Sequence, residues 1–241
     1  MKFSLYEFSA LTNFLKGVSN VADEITFLAS EDGLKCQVTS KSMVTLFEVF
    51  FKRSYFELFE VENNEAIRIV PSDLFKILKT AKKGESLIFD VDSYELHIII
   101  EGNRRRNFTI SLLNEYDNFR ELPSFDLNIE SVVNLDFLLD SLKDLDLMAS
   151  PAVTLTSKDE DLKLYGLNEY KGAVECAELG ETNNDGKATY NINNFKDVIN
   201  FPDISNEVKL KFDNDHPAIF EFEDDDVELT TLIAPILEQE E

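Results

Sequence analysis

The order of strands and helices along this chain occurs twice, and this duplication constrains the fold more than any other feature of the sequence. Residues 2–8 alternate as a strand and lead into a helical apolar stripe over Leu11–Val18. Further strands, a second amphipathic helix and more strands follow. The same order returns from residue 126, and the matching positions Phe14 and Phe137 lie 123 residues apart. A period of this length indicates a duplicated domain rather than a solenoid, so we predict an α+β fold.

The repeat also predicts the domain boundaries. The stretch 114–125 is polar, contains Pro123 and shows neither helical nor strand periodicity, as is typical of a linker. We therefore predict a first domain over residues 1–113, a linker over 114–125 and a second domain over 126–241. In the second domain, helices are predicted over Asp136–Leu145 and Tyr190–Asn200.

Charge is distributed unevenly between the two halves of the chain. The formal net charge is −24 at pH 7. Residues 1–121 hold 15 basic and 19 acidic side chains, whereas residues 122–241 hold 8 basic and 28 acidic side chains. Such a protein repels polyanions except where its lysines are concentrated.

One such concentration lies over Pro71–Lys83, which carries four lysines and only one carboxylate, that of Asp73. The apolar spacing predicts one amphipathic helix across the whole range, started by the proline and stopped by Gly84. Two interpretations are open. The lysines are either an ordinary solvated helix face or a surface directed at phosphate groups.

The chain offers few residues for catalysis. Of its two histidines, His97 falls in a predicted strand and His216 in a turn. Both cysteines, Cys36 and Cys176, are predicted to be buried thiols on strands. Asp224–Asp226 lacks the spacing of a calcium loop and is predicted to be a solvated turn, and there is no glycine-rich phosphate loop. We therefore expect no catalytic, cofactor or metal site, and a binding protein rather than an enzyme.

The expected location is inside the cell. No apolar run reaches the roughly 20 residues that a membrane span requires, and the first residues alternate as a strand instead of forming a signal-peptide core. Two unpaired cysteines fit a reducing compartment. We expect no membrane association and a nucleoid-associated or cytoplasmic protein, or a nuclear one in a eukaryote.

Four short motifs occur in order along nearly the whole chain. They are Asp32-Gly33 in a hairpin, Lys76-Ile77-Leu78-Lys79 in the second helix, Leu122-Pro123 in the linker and Leu232-Ile233-Ala234-Pro235-Ile236-Leu237-Glu238 near the end. Together they resemble the DNA sliding clamps of the proliferating cell nuclear antigen family, most closely the archaeal members. The resemblance implies two domains, each an antiparallel sheet backed by two helices, in chains that close a trimeric ring. It also implies a processivity factor for DNA polymerase that encircles duplex DNA in replication and repair.

The same resemblance implies three sets of site residues. The DNA-facing lysines are expected to be Lys16, Lys76, Lys79, Lys82, Lys83, Lys143 and Lys196. A pocket for partner peptides that carry a glutamine, an aliphatic residue and two aromatic residues is expected to involve Val44, Leu46, Leu122, Pro123, Pro217, Leu232, Ala234, Pro235 and Leu237. The subunit interface is expected to pair the strand 107–113 of one chain with the strand 171–177 of the next, through Phe108, Ile110, Leu112, Ala173, Val174 and Glu175.

Some of these residues have a second interpretation. Isolated apolar residues of strands usually belong to the core, which is the alternative for Val44, Leu46 and Leu232. Arg104, Arg105 and Arg106 form either a charged hairpin tip or a contact to DNA or to an acidic neighbouring subunit.

The resemblance also implies partners. They are the clamp loader, duplex DNA bound without sequence specificity, and DNA polymerase, flap endonuclease and DNA ligase bound through short peptide motifs. Because the second domain is acidic, the ring is expected to be either a homotrimer or a heterotrimer of clamp subunits. Two other functions stay open: a checkpoint-type clamp subunit for repair, and an acidic interaction scaffold that does not encircle DNA.

Overall fold

The chain divides into two compact units that do not follow a single cut in the sequence. The computed structural model describes residues 1–61, 65–92, 94–113, 119, 121–201 and 203–237. The first unit comprises Met1–Lys41, Phe47–Glu121 and Asp224–Leu229, and the second comprises Ser42–Leu46, Leu122–Glu223 and Thr230–Glu241. Residues 114–118 and 120 of the predicted linker, and Glu238 of the C-terminal motif, lie outside the described residues. The domain limits at residues 113 and 126 stay a prediction.

The first unit consists of antiparallel strands and two helices that contact each other. Its elements are β1 (Lys2–Leu5), α1 (Ser9–Val18), β2 (Ile25–Ser30), β3 (Gly33–Thr39), β4 (Thr45–Lys52), a short 3-10 helix (Arg53–Tyr55), β5 (Leu58–Glu60), β6 (Glu65–Ile69), α2 (Pro71–Leu78), β7 (Ser86–Val91), β8 (Glu95–Glu101) and β9 (Arg106–Ser111). One sheet has the order β5-β1-β7-β8-β9, so β9 lies at its edge. The strands β6, β2, β3 and β4 are neighbours in that order in a second sheet.

The apolar stripe predicted for α1 is buried in the first unit. Leu11, Phe14, Leu15 and Val18 are each at most 3% exposed. The Phe14 ring makes edge contacts with Phe27 and Phe51, at centroid distances of 6.4 and 6.3 Å. Ser9 is the first helical residue, and no side chain caps the helix at Phe8. Packing of the stripe therefore stabilises α1 more than capping does.

The hairpin between β2 and β3 depends on Gly33. This residue has a φ of +150° and lies against the backbone carbonyl oxygen of Phe51, so an added Cβ would overlap that oxygen. Only glycine combines this conformation with such a close approach. The Asp32-Gly33 motif thus marks a turn that the adjacent strand β4 constrains.

The lysine-rich helix is shorter than the sequence predicts. α2 ends at Leu78, and Thr80 and Ala81 donate their N–H groups to the carbonyls of Ile77 and Leu78 in tighter, 3-10 type bonds. The Arg106 guanidinium donates to the Thr80 carbonyl at 3.0 Å, an acceptor that a continuing helix would use for its own hydrogen bond. The Lys82 N–H, which a continuing helix would donate to the Leu78 carbonyl, donates to the Glu85 carboxylate instead, so Lys82 and Lys83 lie in the loop that follows the helix.

The second unit repeats the same kinds of element. Its elements are β10 (Ile129–Asn134), α3 (Leu135–Leu147), β11 (Ala152–Lys158), β12 (Asp161–Asn168), β13 (Gly172–Cys176), β14 (Gly186–Asn191), α4 (Ile192–Ile199), β15 (Glu207–Phe212), β16 (Ala218–Glu223) and the end of β17 (Val227–Ile233). One sheet has the order β13-β12-β11-β14, so β13 is an edge strand. The strands β10, β15, β16 and β17 are neighbours in that order. The predicted α+β class is confirmed.

The helix predicted over Tyr190–Asn200 begins later than expected. Gly186–Asn191 forms β14, which the sequence analysis missed, and α4 starts at Ile192. The Asn191 side chain accepts hydrogen bonds from the N–H groups of residues 193 and 194, and so caps the helix. Tyr190, expected on the helix, is instead a fully buried strand residue. Its aromatic character favours a strand as much as a helix, which explains the error.

The burial pattern corrects one detail of the predicted repeat. Phe14 is buried on α1, but its predicted counterpart Phe137 is 61% exposed on α3. The buried residue at this turn of α3 is Leu138, its neighbour in sequence. The two aromatic residues therefore do not occupy equivalent positions, although each belongs to the first helix of its unit.

The remaining sequence predictions concern small features. Cys36 is buried, as predicted, and burial raises the pKa of its thiol. Cys176 was also expected to be buried, but it is only half-buried because β13 is an edge strand. Asp224–Asp226 lies in the turn between β16 and β17, as predicted.

Candidate functional site

The lysines of the first unit lie on and just after its two helices. Lys16 is an exposed residue of α1, and Lys76 is an exposed residue of α2. Lys79 directly follows α2, and Lys82 and Lys83 occupy the loop before β7, all three exposed. Because α1 and α2 contact each other, the structure brings the two helical lysines onto neighbouring helices.

Two contacts orient the lysines of α2. Lys76 Nζ lies 2.9 Å from Asp73 Oδ1, one turn earlier on the same helix. The Lys79 ammonium group lies 5.8 Å from the centre of the Phe75 ring, in a cation–π arrangement. Both contacts are exposed and weak, so an anionic ligand is able to compete for the lysines.

A largely buried ion pair holds the loop that carries Lys82 and Lys83. Arg106 binds the Glu85 carboxylate and also donates to the Thr80 carbonyl and hydroxyl at 3.0 and 3.1 Å. Glu85 Oε2 in turn accepts the backbone N–H of Lys82 at 2.8 Å. That hydrogen bond and the Arg106 charge lower the pKa of Glu85. The loop is thus fixed at both of its ends by one side-chain pair.

The three arginines of the β8–β9 hairpin differ in their contacts. Arg106 is engaged within its own unit, an arrangement that neither of the sequence interpretations anticipated. Arg105 pairs loosely with Glu101, at 3.5 Å, as expected of a charged hairpin tip. Arg104 is exposed, and its role stays open.

The two helical lysines of the second unit form ion pairs with aspartates, as Lys76 does with Asp73 in the first unit. Lys143 Nζ lies 2.6 Å from Asp140 Oδ1 on α3, and this bond raises the pKa of the lysine. Lys196 on α4 binds Asp146, which belongs to α3. Half-burial also raises the pKa of Asp197 on α4. The units differ in the charge of their helices: α1 and α2 carry two lysines and one aspartate, whereas α3 and α4 carry two lysines and five aspartates.

The residues expected to bind partner peptides all belong to the second unit. Val44, which directly precedes β4, and Leu46 on β4 are half-buried, whereas Thr45 between them is buried. The Ala234 N–H donates to the Val44 carbonyl at 2.9 Å, and the Ile236 N–H donates to the Thr189 carbonyl at 2.7 Å. These bonds hold the C-terminal segment in place.

Exposure varies among the other members of this set. Leu232 is buried, in line with its alternative interpretation as core, while Pro123 and Leu237 are exposed. Intermediate exposure is found for Leu122, Pro217, Ala234 and Pro235. Met43 and Ile236, which the sequence analysis did not select, add apolar surface at 75% and 44% exposure. In the sequence, only their positions next to Val44 and Pro235 could have indicated that they belong to this surface.

Both strands expected at the subunit interface are edge strands. β9 ends at Ser111, two residues earlier than predicted. After it, the Leu112 N–H donates to the Tyr94 carbonyl at 2.8 Å. Phe108 and Ile110 are half-buried on one face of β9. On β13, Val174 is half-buried, while Ala173 and Glu175 are exposed. Each edge thus has backbone groups and apolar side chains available for pairing.

Two further observations concern groups outside these sets. Asp92, Glu95 and His97 have potential metal-ligating atoms that all lie within 4.8 Å of one another, a cluster that the sequence analysis did not identify. In the described part of the chain, no helix has both the length and the apolar character that a membrane span requires.

Comparison with known proteins decides the family. The model of the proliferating cell nuclear antigen N-terminal domain matches residues 1–118. DNA polymerase sliding clamp 1 of Thermococcus kodakarensis is 30% identical over 230 residues, covering 92% of both chains. The chain belongs to the proliferating cell nuclear antigen family of DNA sliding clamps. The DNA polymerase sliding clamp of Methanobrevibacter smithii is 24% identical over the whole of this chain and 99% of its own.

Solved structures confirm the clamp fold. The PCNA2-PCNA3 complex of Sulfolobus tokodaii contains a chain with a TM-score of 0.88 at 20% identity, which covers 99% of this chain and 100% of its own. The proliferating cell nuclear antigen of Entamoeba histolytica has a TM-score of 0.89 at 19% identity, with 98% of each chain covered. The sequence-based expectation of a sliding clamp is confirmed, and the clamp acts as a processivity factor rather than as an enzyme.

Proposed function

We propose that this clamp is one subunit of a closed ring that encircles duplex DNA and contacts its phosphates through the lysines of the first unit. The supporting observation is the group of exposed lysines on α1, on α2 and in the following loop of a chain with a net charge of −24. Flexible lysine side chains suit backbone contacts without sequence readout. The proposal implies a protein that works inside the cell, on DNA.

The test replaces the lysines of α2 and its loop together. Changing Lys76, Lys79, Lys82 and Lys83 to alanine is expected to reduce retention on circular duplex DNA after loading by the clamp loader, most strongly at low salt. A matched control changes four other exposed lysines, Lys2, Lys41, Lys158 and Lys187, and removes the same charge. Equal retention of the two variants would contradict the proposed DNA surface.

The second part of the proposal is a peptide site on the second unit. Half-buried apolar side chains at Val44, Leu46 and Leu122 lie in the same unit as the fixed C-terminal segment. Apolar anchors of this kind carry most of the binding energy of short peptides. DNA polymerase, flap endonuclease and DNA ligase are the proposed sources of such peptides.

Calorimetry with a peptide containing glutamine, an aliphatic residue and two aromatic residues tests this site. Leu122→Asp is expected to weaken binding by more than tenfold, because it places a charge among the apolar anchors. Leu147→Asp is the control, since Leu147 is an apolar residue of α3 with 75% exposure. If Leu122→Asp binds the peptide as tightly as wild type, the peptide site lies elsewhere.

The third part concerns assembly through β9 and β13. We infer that Phe108, Ile110 and Leu112 of one subunit meet Ala173, Val174 and Glu175 of the next by pairing of the two edge strands. The excess of aspartates on α3 and α4 favours a mixed ring as a second candidate, because different subunits would then supply further lysines. Sedimentation of the isolated chain separates the two: a species near three times 27.6 kDa supports the homotrimer, and a monomer supports the mixed ring.

A further inference from the structure

Three side chains with metal-ligating atoms meet at the turn between β7 and β8 of the first unit. Asp92 directly follows β7, and Glu95 and His97 belong to β8. His97 Nε2 lies 3.3 Å from Asp92 Oδ2 and 3.8 Å from Glu95 Oε2. None of the three belongs to the proposed DNA, peptide or subunit surfaces. The cluster therefore needs an explanation of its own.

The histidine is held with one nitrogen directed at the carboxylates. His97 is paired with Thr109 across β8 and β9, and its Nδ1 lies 3.1 Å from the Thr109 hydroxyl oxygen. His97 Nε2 also lies 3.3 Å from Asp92 Oδ2, and without a metal it donates its proton to that carboxylate oxygen. A bound metal ion would replace this proton at Nε2, and Nδ1–H would then donate to the Thr109 hydroxyl. A hydrogen bond at the second ring nitrogen is the usual partner of a metal-binding histidine, because it fixes the tautomer and the ring orientation.

Backbone hydrogen bonds also fix the position of Asp92. Its Oδ1 accepts the backbone N–H groups of Tyr94 and Glu95, both at 2.9 Å, which leaves Oδ2 on the side of His97. These two bonds hold the carboxylate in place, with Oδ2 directed at His97 Nε2. Glu95 supplies a second carboxylate, and the set comprises one imidazole and two carboxylates.

We propose that Asp92, Glu95 and His97 bind one divalent transition-metal ion, with zinc as the probe that fits the ligand set. Zinc accepts nitrogen and oxygen ligands at about 2.0–2.2 Å, which places tetrahedral ligand atoms roughly 3.3 Å apart. The two separations from Nε2, 3.3 and 3.8 Å, are close to this value, and the two carboxylate groups have ligand atoms within 4.8 Å of each other. An imidazole ligand disfavours magnesium and calcium, which prefer oxygen. Three protein ligands leave the fourth position to water.

Zinc titration of the full-length chain by calorimetry, in buffer with excess magnesium to occupy oxygen-only sites, tests the proposal. We expect one zinc ion per chain for wild type and loss of this binding in His97→Gln. His216→Gln removes the other histidine, and Asp224→Asn changes the acidic turn of the β16–β17 hairpin. Both controls are expected to retain the zinc ion.

Thr109→Val tests the orientation of the imidazole. Loss of such a supporting hydrogen bond typically weakens metal binding by about 10–100-fold, and we expect a change in this range. Cobalt substitution gives a second readout, because a visible absorption band from nitrogen and oxygen coordination is expected in wild type and not in His97→Gln. Three results would each overturn the proposal: no zinc binding by wild type, unchanged zinc binding by His97→Gln, or unchanged binding by Thr109→Val.

Discussion

Arg106, the first residue of β9, forms an ion pair with Glu85, which immediately precedes β7. Arg106 also donates to the carbonyl and hydroxyl oxygens of Thr80, in the turn that follows α2. The pair therefore connects the loop that carries Lys82 and Lys83 with the strand that we propose as a subunit interface. Its removal is expected to affect the position of the lysines and not their charge.

The first prediction concerns the pH dependence of this pair. Because the folded-state pKa of Glu85 is lowered from an ordinary value of 4.5, its contribution to stability is present above that value and is lost as the pH falls through the folded pKa. Glu85→Gln is expected to lower the thermal midpoint at pH 7, and the difference from wild type is expected to shrink below about pH 4.5. Glu101→Gln, which affects only the loose pair with Arg105, is the control. A difference that stays constant from pH 7 to pH 3 would contradict the assignment.

The second prediction follows from the ion-paired lysines of the second unit. The double change Asp140→Asn and Asp146→Asn releases Lys143 and Lys196 from their aspartates. If the helices of both units face DNA, low-salt retention on circular DNA rises, and the salt dependence steepens by about one counterion for each lysine engaged. The control Asp224→Asn with Asp225→Asn removes the same charge from an exposed turn. Equal gains in both double variants would show that net charge alone is responsible.

The third prediction concerns the cap of α4. Asn191→Ala removes the side chain that accepts two backbone N–H groups at the start of the helix. The expected loss is about 1 kcal/mol in the free energy of unfolding, measured with urea. Asn193→Ala changes an exposed residue of the first turn and is expected to cost nothing, since alanine has the higher helix propensity. Equal effects at the two positions would argue against the cap.

The fourth prediction tests the corrected register of α3. Leu138→Ala removes a fully buried side chain and is expected to destabilise the protein by about 2–5 kcal/mol. Phe137→Ala, at the neighbouring position, removes an exposed side chain and is expected to stay within about 0.5 kcal/mol of wild type. Urea unfolding of both variants measures the difference. A larger loss for Phe137→Ala would show that the aromatic residue is the core residue after all.

Several features of this protein could be predicted from the sequence because they depend on local patterns. The buried stripe of α1 follows from apolar periodicity, and the structure has it as predicted. The family resemblance rests on short motifs such as Asp32-Gly33, where a close backbone approach requires glycine. Sequence alone was sufficient for the fold class and the clamp family.

Tertiary contacts decided the rest. The lysine-rich helix ends at Leu78, and the turn after it is held by Arg106, 28 positions further along the chain, which donates to the Thr80 carbonyl; no local pattern encodes this contact. Burial distinguishes Leu138 from Phe137, since both neighbours are apolar and only packing selects one of them. The cluster of Asp92, Glu95 and His97 likewise depends on Thr109 of the adjacent strand, which orients the imidazole. Periodicity identifies which faces are apolar, but pairing between distant residues determines which polar groups meet.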